Sequence, residues 1–497
     1  MRPYILTLDI GTSSCKAAVF SERYEIIYEG KGTYPLYSDS SGNVEQDPFE
    51  ILDGVIRAVE EIRKAGCRMG TIQAISFSSQ ISAQCLVGRD GKPITNILSW
   101  MDRRAWREAE DIERCFTKEE IIQMSGMDMI VTPAYSPAKL LWMKRNIPDK
   151  LASALHFVQI KEIVIHYLTG QWVSDANSLK GLVSPQGDPI DRIFKYIGTE
   201  TSLIPSITKP YESAGSLKKN VVGFEDFRPG IKVITGWNDM NAAFLGMVGF
   251  SEKCIGLDIT GTSEHIGIVR PLGDNVQKSY AGLNTVPFLS DHQAIYGVTS
   301  SGGQAADWFA TSIMGKTSAG EYFAKIGGNG VLPPMDDDLI CLPYIEGERN
   351  PVPIPKASGV FFGLKRKHTD ADLARAVLEG VCFALRTICD RLPEKPEKYI
   401  ISGGASKNSA WDSMKASVIG VPFESLYTTE AGCNGAAMLA AFALSKREEW
   451  TDIQKKFLKI SQRFEVDEKE KARLETKYNK YLRLLECTKV LYKEDNQ

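Results

Sequence analysis

Long apolar runs are missing from this chain: no stretch approaches the ~20 uninterrupted apolar residues that span a bilayer. The opening Met1-Arg2-Pro3-Tyr4-Ile5-Leu6-Thr7-Leu8-Asp9 meets an acidic residue too early for the core of a signal peptide, so a cytoplasmic location is expected. Net charge is nearly missing too. The 59 basic and 62 acidic residues leave -3, which excludes the strong field that marks binders of nucleic acid or of anionic membrane surfaces. Histidine is scarce, and His156, His166, His265, His292 and His368 stand outside any nucleophile or metal motif. The ten cysteines form no Cys-x-x-Cys pair and no Cys/His group of zinc spacing, so they read as reduced, mostly buried thiols. A small neutral molecule fits these exclusions better than a polyanion.

What is present is length and alternation. A chain of 497 residues exceeds what one hydrophobic core usually serves, and two cores are expected. Tyr4 to Leu8 and Lys16 to Phe20 read as strands joined by the small-residue turn Gly11-Thr12-Ser13-Ser14. About half a chain later the pattern returns, with Cys254 to Leu257 and Ile266 to Val269 flanking Gly261-Thr262-Ser263, a repeat that implies two related domains. Pro48 to Lys64 has helical spacing and Ile72 to Ser78 strand character. Thr369 suits the N-cap of a helix over Asp370 to Asp390, and Tyr399 to Ser402 reads as a buried strand. Such alternation predicts α/β layers with helix-covered sheets. The boundary is expected near residues 245 to 254, giving domains 1–248 and 249–497 with a ligand cleft between them. From Trp450 onward the chain is charge-rich and helical, which predicts a solvated helix.

Several residues carry chemistry. The turn at Gly11, Thr12 and Ser13 allows backbone N–H groups close to a phosphate, although it also serves as an ordinary hairpin turn. Asp9 ends an apolar strand, where a carboxylate is costly without a partner, and a hydrated Mg²⁺ would be one. Ser402-Gly403-Gly404-Ala405-Ser406-Lys407-Asn408 lies between a strand and the amphipathic run Ser409 to Ile419, a place for adenine or phosphate or simply a connection. Gly236-Trp237-Asn238-Asp239 precedes the helix-like Met240 to Gly249, so Asn238 or Asp239 is either an N-cap or a reactive group. Asp102 beside Arg103 and Arg104 reads, by itself, as a surface ion pair, and Lys16 as either a phosphate contact or a surface strand residue.

Taken in order, these segments resemble the FGGY family of carbohydrate kinases from Tyr4 to about Leu444, and among its members most closely the xylulose kinases. Asp9-Ile-Gly-Thr-Ser-Ser-Cys-Lys16 is similar to the first phosphate motif, Trp100-Met-Asp102-Arg-Arg104 to a sugar-site motif, and Thr235-Gly-Trp-Asn-Asp239-Met-Asn-Ala-Ala243 to the stretch with the catalytic Asp. Leu257-Asp-Ile-Thr-Gly-Thr-Ser263 resembles the second phosphate motif, Leu342 to Pro351 with Gly359 to Leu364 the C-terminal signature, and Ser402 to Asn408 the adenosine motif. The resemblance implies two ribonuclease-H-like domains of the actin/hexokinase type that close on ATP and sugar. It implies Asp239 as the base and Asp9, with Asp239, as the acids that hold Mg²⁺. Gly11, Thr12, Ser13, Lys16, Gly261, Thr262, Gly303, Gly403, Gly404, Ala405 and Asn408 would then serve ATP. Gln80, Ile81, Ser82, Trp100, Asp102, Arg104, Trp237 and Asn238 would serve the sugar, with Asp102 accepting from vicinal hydroxyls. ATP and Mg²⁺ are the implied cofactors, a sugar is the implied partner, and a homodimer is compatible with it.

The chain departs from the xylulose kinases in three places. Ser82 stands where they carry a sugar-contacting His, and Trp237 and Asn238 replace glycines and would put an indole and an amide near the sugar. Glu264 closes the second phosphate motif where a small residue is usual. A ketopentose such as xylulose is the expected acceptor, with gluconate, ribulose, glycerol or another polyol as alternatives and a non-catalytic, actin-like ATP switch as the rival class.

Overall fold

The structure, a computed structural model, describes residues 4–261, 263–272, 279–289, 291–326, 332–403 and 408–493, so Thr262, Gly404 and Ala405 lie outside the described residues. The chain divides into two compact units, one of Met1–Gly249, Val286–Ser290 and Glu430–Leu458, the other of Phe250–Thr285, Asp291–Thr429 and Lys459–Gln497. The contiguous division at 248/249 is therefore modified: Glu430–Leu458 returns to the first unit, because its helix Ala431–Ala443 is apolar nearly all round and packs there.

In the first unit, strands run in the order Ser213–Ser216, Lys232–Ile234, Ile72–Ser79, Tyr4–Ile10, Ser14–Phe20, Ile26–Thr33. Tyr4–Ile10 pairs antiparallel with Ser14–Phe20 and parallel with Ile72–Ser79. Helix Pro48–Lys64 starts where the Asp47 side chain accepts from Phe49 N, with proline at its first position, and it buries Ile51, Val55, Ala58, Val59 and Ile62 along one stripe. Helices Asp239–Val248 and Ala431–Ala443 cross where two glycines meet. A Cβ at Gly435 would lie 1.8 Å from the Ala242 carbonyl oxygen, and one at Gly246 would lie 2.1 Å from that of Ala431.

The second unit repeats the plan. Its strands run His292–Thr299, Glu264–Pro271, Ile255–Thr260, Tyr399–Gly403, Phe423–Leu426, Ile460–Phe464. Ile255–Thr260 is antiparallel to Glu264–Pro271 and parallel to Tyr399–Gly403, as Tyr4–Ile10 is to its own neighbours. The half-chain repeat seen in the turns is thus a repeat of topology. Thr369 caps helix Asp370–Cys389 through a reciprocal bond with Asp372.

The tail differs from expectation. Strand Ile460–Phe464 interrupts it, and the helix Glu468–Lys493 is not simply solvated, for Leu474, Lys477, Tyr478 and Tyr481 are buried. Their spacing of three, four and seven residues makes a stripe within the charge-rich sequence. The Tyr481 hydroxyl meets that of Tyr344, and Lys477 donates to Glu379. All ten cysteines are free thiols. Among the described residues no helix is long and apolar enough to cross a membrane.

Candidate active site

In the first unit, parallel strands end together, and ligands of such sheets gather at the strands' carboxyl ends. Asp9 stands in register with Ser78, and Ser78 with Trp237. The Ser78 hydroxyl donates to Asp9 Oδ1 at 2.6 Å. One residue beyond Asn238, helix Asp239–Val248 begins. Its cap is Asn238, whose Oδ1 accepts from Asn241 N at 3.0 Å, so the capping alternative falls to Asn238 and leaves Asp239 available. The Asp239 carboxylate accepts from Met240 N at 2.8 Å and from the Ile81 backbone N–H. Burial pushes it up to about 7, the charge of Asp9 adding to the effect against these bonds. Asp9 is itself raised by burial, with Ser78 and Lys16 opposing.

The first phosphate turn is braced from behind. Tyr34 Oη donates to Gly11 O at 2.7 Å, Gln46 Nε2 to Thr12 O at 2.8 Å, and Tyr34 N to Ser13 O at 3.1 Å. The carbonyls are thereby turned inward, while Thr12 and Ser13 N–H make no hydrogen bond among the described residues. Lys16 lies opposite Asp9 in the hairpin, but its ammonium binds Glu430 at 2.7 Å. A methyl group at Gly432 would come within 3.0 Å of Ser78 Oγ and 3.3 Å of Asp9 Oδ2, so glycine there keeps the acid accessible.

The sugar-site candidates separate into two groups. Gln80 Nε2 donates to Gln46 Oε1 at 2.8 Å, and the exposed Trp100 donates through Nε1 to Thr12 Oγ1 at 3.0 Å, which ties both to the phosphate turn. Ser82 has a left-handed backbone (φ 61°). Its N–H donates to Gln159 Oε1 at 2.9 Å, and its carbonyl accepts from the buried Lys139. The hydroxyl of Ser82, Oε1 of Gln80 and Nδ2 of Asn238 are buried without a partner among the described residues, as expected of groups that meet a polar ligand.

Three expectations are corrected. Trp237 does not put an indole beside a sugar. It is fully buried, stacked on Phe288 with ring centroids 5.2 Å apart, and its Nε1 donates to Asn177 Oδ1 at 3.2 Å, because its place in the strand turns it into the core. Asp102 does not await hydroxyls. At 2% exposure it accepts from Val44 N (2.7 Å), Arg104 N (3.0 Å) and the Arg104 guanidinium (2.9 Å), which fills its acceptor sites. Arg104, further bound to Glu45 at 2.7 Å and lying over Trp142, borders a cavity of about 400 Å³ that touches none of Asp9, Ser82 or Asp239.

In the second unit, of the predicted nucleotide residues, Gly261 and Gly303 come into contact and Gly403 lies beside Thr260. Gly303 N donates to Gly261 O at 2.8 Å, and a Cβ at Gly303 would lie 2.7 Å from that oxygen. Gly403, at φ +106°, passes so close to Thr260 that a Cβ would lie 2.1 Å from its carbonyl. Asn408 caps helix Ser409–Ile419 by accepting from Trp411 N. Glu264 does not enter the turn. It points inward, where Lys415 binds it together with Asp258 (2.7 Å) and Thr260 (2.8 Å). Burial and the charge of Glu264 raise Asp258. Burial pulls Lys415 down, but the surrounding carboxylates overcome it and hold the ammonium above its usual value.

Residues 4–246 match the model of the FGGY family of carbohydrate kinases, N-terminal domain, and residues 259–444 that of the C-terminal domain. The chain belongs to the FGGY family. It is a carbohydrate kinase, and ATP is the phosphoryl donor that goes with the family. This FGGY kinase is similar to a gluconokinase from Bacillus subtilis (strain 168), 27% identical over 470 residues, 91% of this chain and 90% of the relative. It is also similar to a xylulose kinase from the same organism, 24% identical over 502 residues and 98% of each chain. Among solved structures, a xylulose kinase from Lactobacillus acidophilus superposes with TM-score 0.87 at 24% identity and 99% coverage of each chain. A gluconate kinase from that organism superposes at 0.86 with 25% identity, covering 99% of this chain and 98% of the other. The two-domain α/β fold of FGGY kinases is therefore the fold of this chain.

Glu430, Gly432, Gln46, Gln159, Lys139 and Lys415 of this FGGY kinase were not found from the sequence. Only the cluster Gly432-Cys433-Asn434-Gly435 opening an apolar helix offered a signal. The others are single polar residues within elements, and their partners lie far away in the chain.

Proposed function

We propose that this FGGY kinase transfers the γ-phosphoryl group of ATP to a hydroxyl of an open-chain sugar or polyol, with Asp239 as general base. The supporting observation is the Asp239 carboxyl: it is not used as a helix cap, is charged with difficulty beside Asp9, and with a pKa of about 7 is poised to take a proton at neutral pH. The acceptor oxygen attacks the γ-phosphorus as the bond to the β,γ-bridging oxygen breaks and ADP leaves. The hydroxyl proton passes to Asp239. The inward carbonyls at Gly11 to Ser13 leave N–H groups for charge on the phosphates.

A divalent cation fits this site. Among the described residues no group of three metal-ligating side chains exists, yet Mg²⁺ is commonly held by one or two carboxylates with waters and phosphates. Asp9, with Oδ1 taken by Ser78 and Oδ2 kept open by Gly432, would hold it, which leaves neighbouring Asp239 free to take the proton. When bound it would neutralise charge on the transferring group.

The motifs suggest a ketopentose such as xylulose as the acceptor, while Ser82 departs from that pattern and the gluconokinase likeness is as extensive. A coupled assay of ADP release against ketopentoses, aldonates and polyols tests the activity. At least one acceptor should raise turnover well above the rate without acceptor, and Asp239→Asn should lower it about 10²–10⁴-fold with ATP binding retained. If no acceptor stimulates ADP release, the nucleotide-switch reading takes its place.

A further inference from the structure

Lys139 is a fully buried cation in the first turn of helix Ser136–Asn146, and among the described residues no carboxylate lies within ion-pair distance of its ammonium. Its three N–H groups go to three backbone carbonyls, those of Ser82, Leu98 (2.9 Å) and Ser99 (2.7 Å). The placement is unfavourable on two counts. A positive charge in a first turn opposes the helix dipole, and a buried ion without a counter-ion is costly. An apolar side chain of similar length would serve both the helix and its packing better, so the lysine is accounted for by what the three carbonyls belong to.

Ser82 closes the turn Gln80-Ile81-Ser82. Its left-handed backbone, at φ 61°, is uncommon for a residue with a side chain and persists where the surroundings hold it from more than one side. Gln159 Oε1 accepts from its N–H at 2.9 Å, and Lys139 donates to its carbonyl. Leu98 and Ser99 lead into Trp100, whose indole N–H donates to Thr12 Oγ1 at 3.0 Å. At the other end of the turn, Gln80 N donates to Ile10 O at 2.8 Å, and the Gln80 side chain donates to Gln46, which donates to Thr12 O at 2.8 Å. Both segments gripped by Lys139 therefore end on the phosphate turn, one through Trp100 and one through Gln80. The ammonium closes a ring of contacts that runs through Ser82, Gln80, Thr12, Trp100 and Ser99.

We infer that Lys139 is a positioning residue for phosphoryl transfer: by fixing the Ser82 turn and the Trp100 segment to one point, it sets where the acceptor hydroxyl lies relative to a phosphate at Gly11 to Ser13. This rests on the reading above that the acceptor reacts beside Asp239. Transfer needs the attacking oxygen about 3–3.5 Å from phosphorus, and a misplacement of about 1 Å costs on the order of 10²-fold. A loosely seated acceptor also leaves room for water, which attacks the γ-phosphorus in its place and gives ADP and inorganic phosphate without phosphorylated product. The hold on the turn thus governs both rate and coupling.

The test compares the parent with Lys139→Met, which keeps the length and loses every donor, and Lys139→Arg, which keeps charge and donors. D-gluconate, D-xylulose and glycerol serve as acceptors, with ADP and phosphorylated product measured in the same reactions. On the acceptor that the parent uses best, Lys139→Met should lower kcat about 100-fold, with KM for ATP changed less than about threefold. The ratio of ADP to phosphorylated product should exceed the parent's at least about twofold, because water replaces the displaced hydroxyl. Lys139→Arg should recover part of both losses. Hydrogen exchange reads the positioning without turnover. Amides of residues 80–84 and 98–102 should exchange at least about tenfold faster in Lys139→Met, while those of helix Asp370–Cys389 keep the parent's rates and show that the variant is folded. Where Lys139→Met does not fold, Lys139→Gln, which keeps an amide donor, carries the same comparisons. An unchanged kcat, a fall in kcat at the parent's coupling ratio, or unaltered exchange in both segments would overturn the proposal. A parent that phosphorylates none of the three acceptors counts against the acceptor reading alone, and the exchange comparison then decides on Lys139.

Discussion

The pH dependence of turnover follows from the environment of Asp239. Burial together with the charge of Asp9 holds its carboxyl at about 7, so the site charges this group at a cost of about 4 kcal/mol relative to water. Only the ionised form accepts the acceptor's proton, so activity must rise with pH. A group with a pKa of about 7 is roughly 9% ionised at pH 6 and roughly 91% at pH 8, and kcat/KM for the acceptor should rise about tenfold over that interval. An aspartate in water, with a pKa of about 3.9, would give a flat profile over the same range. The assay is initial-rate ADP release at saturating ATP and Mg²⁺ from pH 5.5 to 8.5, at constant ionic strength, with acceptor well below KM. Asp239→Asn should remove the limb as well as most of the rate, since the amide cannot take the proton. A flat parent profile between pH 5.5 and 8.5 would refute the assignment, because the base would then not titrate where the site places it.

Two further predictions concern the scaffold around the site. Gly435→Ala places a Cβ 1.8 Å from the Ala242 carbonyl, which forces apart the helices that begin at Asp239 and Ala431, so urea unfolding should show a loss of about 3 kcal/mol with reduced kcat. A variant within about 0.5 kcal/mol of the parent would mean that the crossing is looser than the structure shows. Lys415→Met leaves Asp258 and Glu264 buried without their cation and should cost about 3–5 kcal/mol at pH 8. With the Asp258 carboxyl raised above its unfolded value by burial and by the charge of Glu264, this loss shrinks as it protonates, so melting at pH 5 should lie nearer the parent than at pH 8, and the opposite trend would sink the idea.

Much of the local structure was legible from the sequence because its causes are local. Asp47 and Pro48 start a helix over Pro48–Lys64, Thr369 starts one over Asp370–Cys389, and the small residues at Gly11 to Ser13 join two strands. The half-chain repeat was visible since each copy needs the same turn beside the same strand. The tail was misread because the Lys/Glu content of Glu468–Lys493 hid the stripe of Leu474, Tyr478 and Tyr481, whose burial depends on distant partners such as Tyr344.

The site residues divide along the same line. Order and residue type alone determined that this chain carries the FGGY motifs, with Asp9 and Asp239 each at the end of a strand that leads into a turn or a helix. Side-chain direction was decided by tertiary structure. Trp237 turns into the core against Phe288, Asp102 is filled by Val44 and Arg104, Glu264 is drawn inward by Lys415, and Gly432 arrives from a helix some 420 residues away to keep Asp9 open. A motif states which groups are present near a backbone position. Which of them face a ligand depends on where distant donors, acceptors and apolar surfaces come to lie, because a buried polar group takes whatever partner the fold brings to it.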